Sequence, residues 1–164
     1  MRLIRTLLAA LAALAAIVLT GPTMATAATT LPFKSDITAQ ASFAETPVPG
    51  VFTVTTSGVG HASHLGKVTF STTETLDFVS TMGALVVRDG RMVMVAANGD
   101  ELRWAYEGTG SPPDEDGVSA LTGTFLVTGG TGRFADATGS GTFEGTGNAV
   151  TGVAIVSYRG TISH

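Results

Sequence analysis

An all-β fold is predicted: a single eight-stranded antiparallel up-and-down β-barrel. Three observations predict it. Thr, Val, Gly and Ser dominate the chain beyond its apolar leader. No segment after residue 30 sustains a 3.6-residue apolar period with helix caps. Turn signals punctuate the chain at short intervals, and consecutive hairpins favour a meander. Closing a meander into a barrel removes the edges that template aggregation.

The elements follow in order. Arg2 and Arg5 precede an apolar run from Leu7 to Leu19, and Ala25 and Ala27 offer small residues at a cleavage site. Residues 1–27 therefore read as a secretory signal peptide, which makes the protein secreted and extracellular. The run is short of the roughly 20 residues a membrane span needs, so no membrane contact is expected after cleavage. Residues 28–34 read as a flexible N-terminal arm, and 35–164 as the barrel domain. Residues 35–45 are expected as the first strand. Pro47 and Pro49 then mark a loop, since proline cannot donate to a ladder. A second strand over 51–58 carries Phe52 and Val54 on one face. After a turn region at 58–65, a long strand over 66–78 carries Val68, Phe70, Thr72, Glu74, Leu76 and Phe78 on one face.

Residues 84–88 and 92–97 are expected to form a hairpin around Asp89-Gly90, a strong turn dipeptide. Asn98-Gly99 makes the next turn, and 101–108 the next strand, with Leu102, Trp104 and Tyr106 on one face. An exposed acidic loop follows at 111–117. Leu121, Phe125 and Val127 then alternate with Thr122, Thr124 and Thr128, the period of a half-buried strand. Gly129, Gly130 and Gly132 break it, and Phe134 is expected to plug an end of the core. A glycine-dotted strand follows, and 150–162 closes the chain.

Residues 129–145, GGTGRFADATGSGTFEG, resemble the glycine-rich signature of the allene oxide cyclase-like and dirigent-like barrels. That signature, TGG-[TA]-G-x-F-x-x-A-x-G between two late strands, is matched by Thr128, Gly129, Gly130, Thr131, Gly132, Phe134, Ala137 and Gly139. The resemblance implies a calycin-like barrel and an assembly of such barrels as trimers. What it carries over is scaffold. The early Tyr-x-His-Asp of dirigent proteins is absent, where this chain reads Ser35-Asp36-Ile37-Thr38. Ser111-Pro112 occurs only in a late loop, so it does not map onto the cyclase Ser-Pro turn.

Composition excludes several classes. Nine Lys and Arg, two of them in the leader, face thirteen Asp and Glu. No basic patch suits nucleic acid or an anionic membrane. The absence of cysteine rules out thiol chemistry and cysteine-bound metal. His61 and His64 lack a third ligand, so no metal or other cofactor is expected. Leu85–Val87, Met92–Ala96 and Val153–Val156 are apolar on both faces. With no helix to cover them, a homo-oligomer, trimer or dimer, is expected.

For chemistry, Phe70, Phe78, Trp104, Tyr106, Phe125 and Tyr158 are the candidate ligand-binding residues. They line either an apolar cavity or a filled core. Glu74 falls on the apolar face of its strand, where burial would raise its pKa and fit it for acid–base work. It and Arg103 are the catalytic candidates, with solvent-facing or paired placements as the alternative. The reading is a barrel that binds a small hydrophobic molecule. The alternatives are a cofactor-independent cyclase or isomerase on a hydrophobic substrate, and a structural domain with a filled barrel.

Overall fold

A computed structural model describes residues 29–80 and 84–164; the expected leader over 1–27 lies outside them. Eight strands close in sequence order into one antiparallel barrel, each pairing with the next and β8 with β1. They are β1 (Thr30–Glu45), β2 (Val51–Ala62), β3 (Gly66–Asp77), β4 (Leu85–Ala96), β5 (Glu101–Gly110), β6 (Val118–Gly130), β7 (Thr138–Asn148) and β8 (Val153–Ser163). The only helical turn among the described residues is a 3₁₀ segment, Gly132–Phe134. No helix among them is long and apolar enough to cross a membrane.

Alternation sets which side chains fill the barrel. On β3, Val68, Phe70, Thr72 and Leu76 point inward and are buried, while Lys67, Thr69, Ser71 and Thr73 are exposed. The interior divides into two halves. At one end Trp104 is the hub. Its ring lies 5.3 Å from Tyr158 and 5.9 Å from Phe33, mostly edge to face, an arrangement the ring quadrupole favours. Met94, Leu102 and Ile162 are fully buried around it, and Phe134 from the 3₁₀ turn closes this end as expected.

Inward glycines admit the rings. An added Cβ at Gly123 would sit 2.5 Å from the Phe143 ring, one at Gly108 2.7 Å from the same ring, and one at Gly141 2.6 Å from Phe125. Ring faces thus cover backbone that would otherwise lie bare, a device of strongly curved sheets.

Two expectations are corrected. Residues 30–34 are not a loose arm. They pair with β8, Thr30 with Ser163 through Lys34 with Arg159, and Phe33 is 1 % exposed within the aromatic core. The apolar Leu31 and Phe33 supply the reason, since burying them outweighs the cost of ordering the segment. Asp89-Gly90 is not a hairpin turn. Both flanks of it pair with the same two neighbours, so β4 runs through, and the dipeptide forms a bulge with one extra residue against β3 and β5. Asp89 takes the left-handed conformation at φ 54°. A turn and a bulge both need that conformation, so the dipeptide alone does not separate them.

Candidate ligand pocket and its buried acid

The other half of the barrel is not filled. Strands β1, β3, β5 and β7 run towards this end, and β5 and β7 thin out to glycine as they approach it. β7 offers only Gly145 and Gly147 beyond Phe143, and β8 contributes Ala154. The result is a cup of about 80 Å³, apolar over most of its wall, with Val54, Leu76, Phe78, Leu85, Leu121 and Ala154 among the residues around it. A second space of about 70 Å³ lies deeper and shares Thr56, Glu74, Val87, Leu121 and Ala154 with the first. It is floored by Phe70, Met92, Tyr106, Phe143 and Tyr158.

Glu74 stands where the two spaces meet. It pairs with Val54 of β2 on one side. On the other it faces the β4 bulge, where the ladder steps from Thr73–Arg91 to Thr75–Arg88 and leaves Glu74 without a cross-strand partner. The same bulge brings Gly90 opposite Tyr106, so close that a Cβ on Gly90 would meet the tyrosine ring at 2.6 Å. Bulges re-aim side chains in this way next to functional sites. Here one bulge frees both partners to meet inside the barrel. The Tyr106 hydroxyl donates to Glu74 Oε2, and the Thr72 hydroxyl approaches the same oxygen at 3.5 Å.

Burial pushes the Glu74 carboxyl up to about 7, against which the Thr72 hydroxyl pulls weakly downward. Tyr158 is raised well above the usual phenol range, first by burial and then by the nearby Glu74 charge. No Lys, Arg or His lines either space among the described residues. The carboxyl therefore exchanges a proton near neutrality in an apolar recess, the setting for a hydrogen-bond anchor or a general acid–base group.

The cup's rim is tied by Asp77, at the end of β3. It is 3 % exposed. Its carboxylate accepts from the Ser80 hydroxyl at 2.5 Å and from the Val79 and Ser80 amides at 2.8 and 2.9 Å, and it bridges Arg88 at 2.6 Å. Those bonds, the Ser80 ones foremost, hold it down at about 2.

Of the candidates read from sequence, Glu74, Phe70, Tyr106 and Tyr158 converge on the deeper space, and Phe78 lies on the outer cup. Trp104 and Phe125 do not line the pocket; they belong to the packed half. Arg103 is corrected. Its neighbours Leu102 and Trp104 turn inward, so alternation points it outward, where it bridges Glu101 at 2.5 Å. Thr56 and Ser119, both buried and both on the cup wall, were not singled out from sequence. Strict alternation with Val54 on β2 and with Leu121 on β6 is the signal that places them. No family model, curated protein or solved structure matches this chain.

Proposed function

We propose that this protein is a secreted barrel of the allene oxide cyclase-like and dirigent-like type that binds a small hydrophobic molecule in its open half. The observation that carries the reading is the apolar cup and the deeper space beside it, both lined by one half-buried acid. Engineered cavities of about 150 Å³ lined by aliphatic and aromatic side chains admit benzene, and the two adjoining spaces, about 80 and 70 Å³, reach that size only together, so one ring or a short chain would use both. The glycine signature at 128–139 supports the family, and the leader pattern over 1–27 supports secretion.

The test is a toluene titration followed by amide NMR. Saturable shifts are expected at Ala41, Leu121 and Ala154, with Trp104 unmoved. Ala154→Phe, which fills the cup, abolishes them while the spectrum stays folded. A titration without saturable shifts at those amides overturns the reading.

A second reading, a cofactor-free isomerase or cyclase, is favoured by one observation, the near-neutral Glu74 held by Tyr106. In an isomerisation Glu74 takes a proton from one carbon of the substrate and returns it to another, so no co-reactant is consumed. Glu74→Gln then binds substrate and fails to turn it over.

Assembly as a homo-oligomer, trimer or dimer, is proposed alongside. On the outer wall Val59 and Ile155 are 54 % and 58 % exposed and flank Thr38 from either side. Exposed apolar clusters of this kind mark interaction surfaces. Sedimentation at equilibrium, compared between the wild type and Ile155→Lys, checks it.

A further inference from the structure

We propose that the cup selects a small apolar molecule carrying a protonated amine, held by Glu74 Oε1 with the hydroxyls of Thr56 and Ser119, and that it rejects carboxylates. The inference rests on the reading that the cup takes a ligand and names that ligand's chemistry.

The argument starts from what is left unpaired. Glu74 Oε2 is occupied by the Tyr106 hydroxyl and approached by Thr72. Oε1 has no hydrogen-bond partner among the described residues, and its residue lines both spaces. Thr56 and Ser119 are 9 % and 4 % exposed, and both stand on the cup wall. Neither hydroxyl is engaged by another side chain among the described residues. An ammonium group carries three donors and no acceptor. Three oxygens on the cup wall thus match the three N–H bonds in number, inside walls that match an apolar body.

Charge points the same way. The titratable side chains facing Glu74 are Tyr106 from β5 and Tyr158 from β8. β1 faces it with Ile37 and Ala39, β2 and β6 with Val54, Thr56 and Leu121, β4 with Val87 and Met92, and β7 with Phe143. Among the described residues no arginine lines the pocket: Arg88, Arg103 and Arg159 are paired with Asp77, Glu101 and Asp36, and Arg91, opposite Thr73 at the bulge, is exposed and donates to the Gly90 carbonyl. A ligand carboxylate entering this recess meets a second carboxyl and no cation, and two acids sharing a site oppose each other's ionisation. An ammonium meets a half-buried carboxylate that folding has already taken partly out of water. Such a preorganised partner reduces the cost of association.

The experiment compares three one-ring probes of nearly equal shape, toluene, benzylamine and benzoate, by calorimetry at pH 8 and pH 5.5. At pH 8 benzylamine is expected to bind at least about tenfold tighter than toluene, a factor that one charge-assisted contact can supply. Benzoate is expected not to bind. Benzylamine, an amine about a unit less basic than a lysine side chain, stays protonated at both pH values. The amine's advantage therefore follows Glu74 alone and falls by up to about tenfold per pH unit below neutrality, as the carboxylate takes up its proton. In Glu74→Gln toluene still binds and the amine's advantage is lost. An amine-to-toluene ratio near one, a ratio that does not change with pH, or benzoate binding as tightly as benzylamine each overturn the selectivity while leaving the cup a binding site. Failure of all three probes overturns the binding reading and this inference together.

Discussion

Tyr106 reaches from β5 past the inner face of β4 to set its hydroxyl on Glu74 Oε2 of β3. The contact depends on the β4 bulge, which leaves Glu74 unpaired on that side and puts Gly90 beneath the tyrosine ring. Tyr106→Phe keeps the ring and removes the donor. A hydrogen bond to a carboxylate favours its ionised form, so the variant is expected to raise the Glu74 pKa further. It should cost about 1–3 kcal/mol at pH 8, where the acid is charged, and less at pH 5. Carbon-detected NMR titration of the Glu74 carboxyl, with urea unfolding at both pH values, checks both expectations.

Glu74 itself makes stability depend on pH. Its folded pKa, about 7, lies above the ordinary glutamate value of 4.5. Between those values the native state holds a proton that the unfolded chain has lost. The stability tied to this group is therefore full below about pH 4 and falls as pH rises towards 7. At about 1.4 kcal/mol per pKa unit, the gap from 4.5 to about 7 makes the loss on the order of 3–4 kcal/mol. Glu74→Gln should flatten that slope and gain on the wild type between pH 5 and 8. Parallel unfolding curves across that range sink the assignment.

Gly123 tests the aromatic packing. A Cβ there would lie 2.5 Å from the Phe143 ring, with the Glu107 carbonyl closer still. Neither obstacle is the loose end of a flexible chain, so backbone must shift. Gly123→Ala is expected to destabilise by about 1–3 kcal/mol, the range for an overpacked core. Gly123→Ala combined with Phe143→Leu should recover part of the loss, and a double-mutant cycle in urea measures the coupling.

The barrel was legible because its signals are local and repetitive. The alternation on 66–78 placed Phe70, Thr72 and Leu76 inside, and the same alternation named Glu74 as the odd member. Phe134 likewise read correctly as a plug and Gly132 as part of the turn, whereas Gly129 and Gly130 still pair with Arg103 and Leu102 at the end of β6. What failed depended on partners that the local pattern does not contain. Asp89-Gly90 suits a turn or a bulge equally, and only the continuous pairing of β4 with both neighbours decides. Residues 30–34 carry a proline, and Leu31 and Phe33 make too short an alternation to mark a strand without β8 beside it. Trp104 and Tyr106 share a face, yet one is core and the other pocket floor. That division follows from how far β7 and β8 taper to Gly147 and Ala154, a property of the closed barrel rather than of either strand.

Asp77 latches the rim through Ser80 and Arg88. Its folded pKa is depressed to about 2 from 3.8. Its contribution is therefore present above the unfolded value and lost as pH falls from about 4 through 2. Asp77→Asn should weaken the latch at neutral pH, and hydrogen exchange at the Val79 and Ser80 amides should speed up there. Protection at those amides is expected to drop in the wild type only when the pH is taken to 3 and below. Unchanged exchange in the variant at pH 7 removes the latch from the account.

Phe33 decides whether the first segment is an arm or a wall. Its ring lies 5.9 Å from both Trp104 and Phe125, edge to face. Truncating a fully buried phenylalanine costs about 3–5 kcal/mol, a large share of the stability of a domain this size. Phe33→Ala is thus expected to lower the urea midpoint sharply and to shift Trp104 emission to the red, since the indole loses one side of its cover. Removing residues 28–34 does more. It strips β8 of its partners from Arg159 to Ser163, and an opened barrel exposes two edges. The truncated chain should unfold or aggregate at concentrations where the intact chain stays folded. A truncated chain with native Trp104 emission and an unchanged midpoint would restore the arm and leave Phe33 a surface residue.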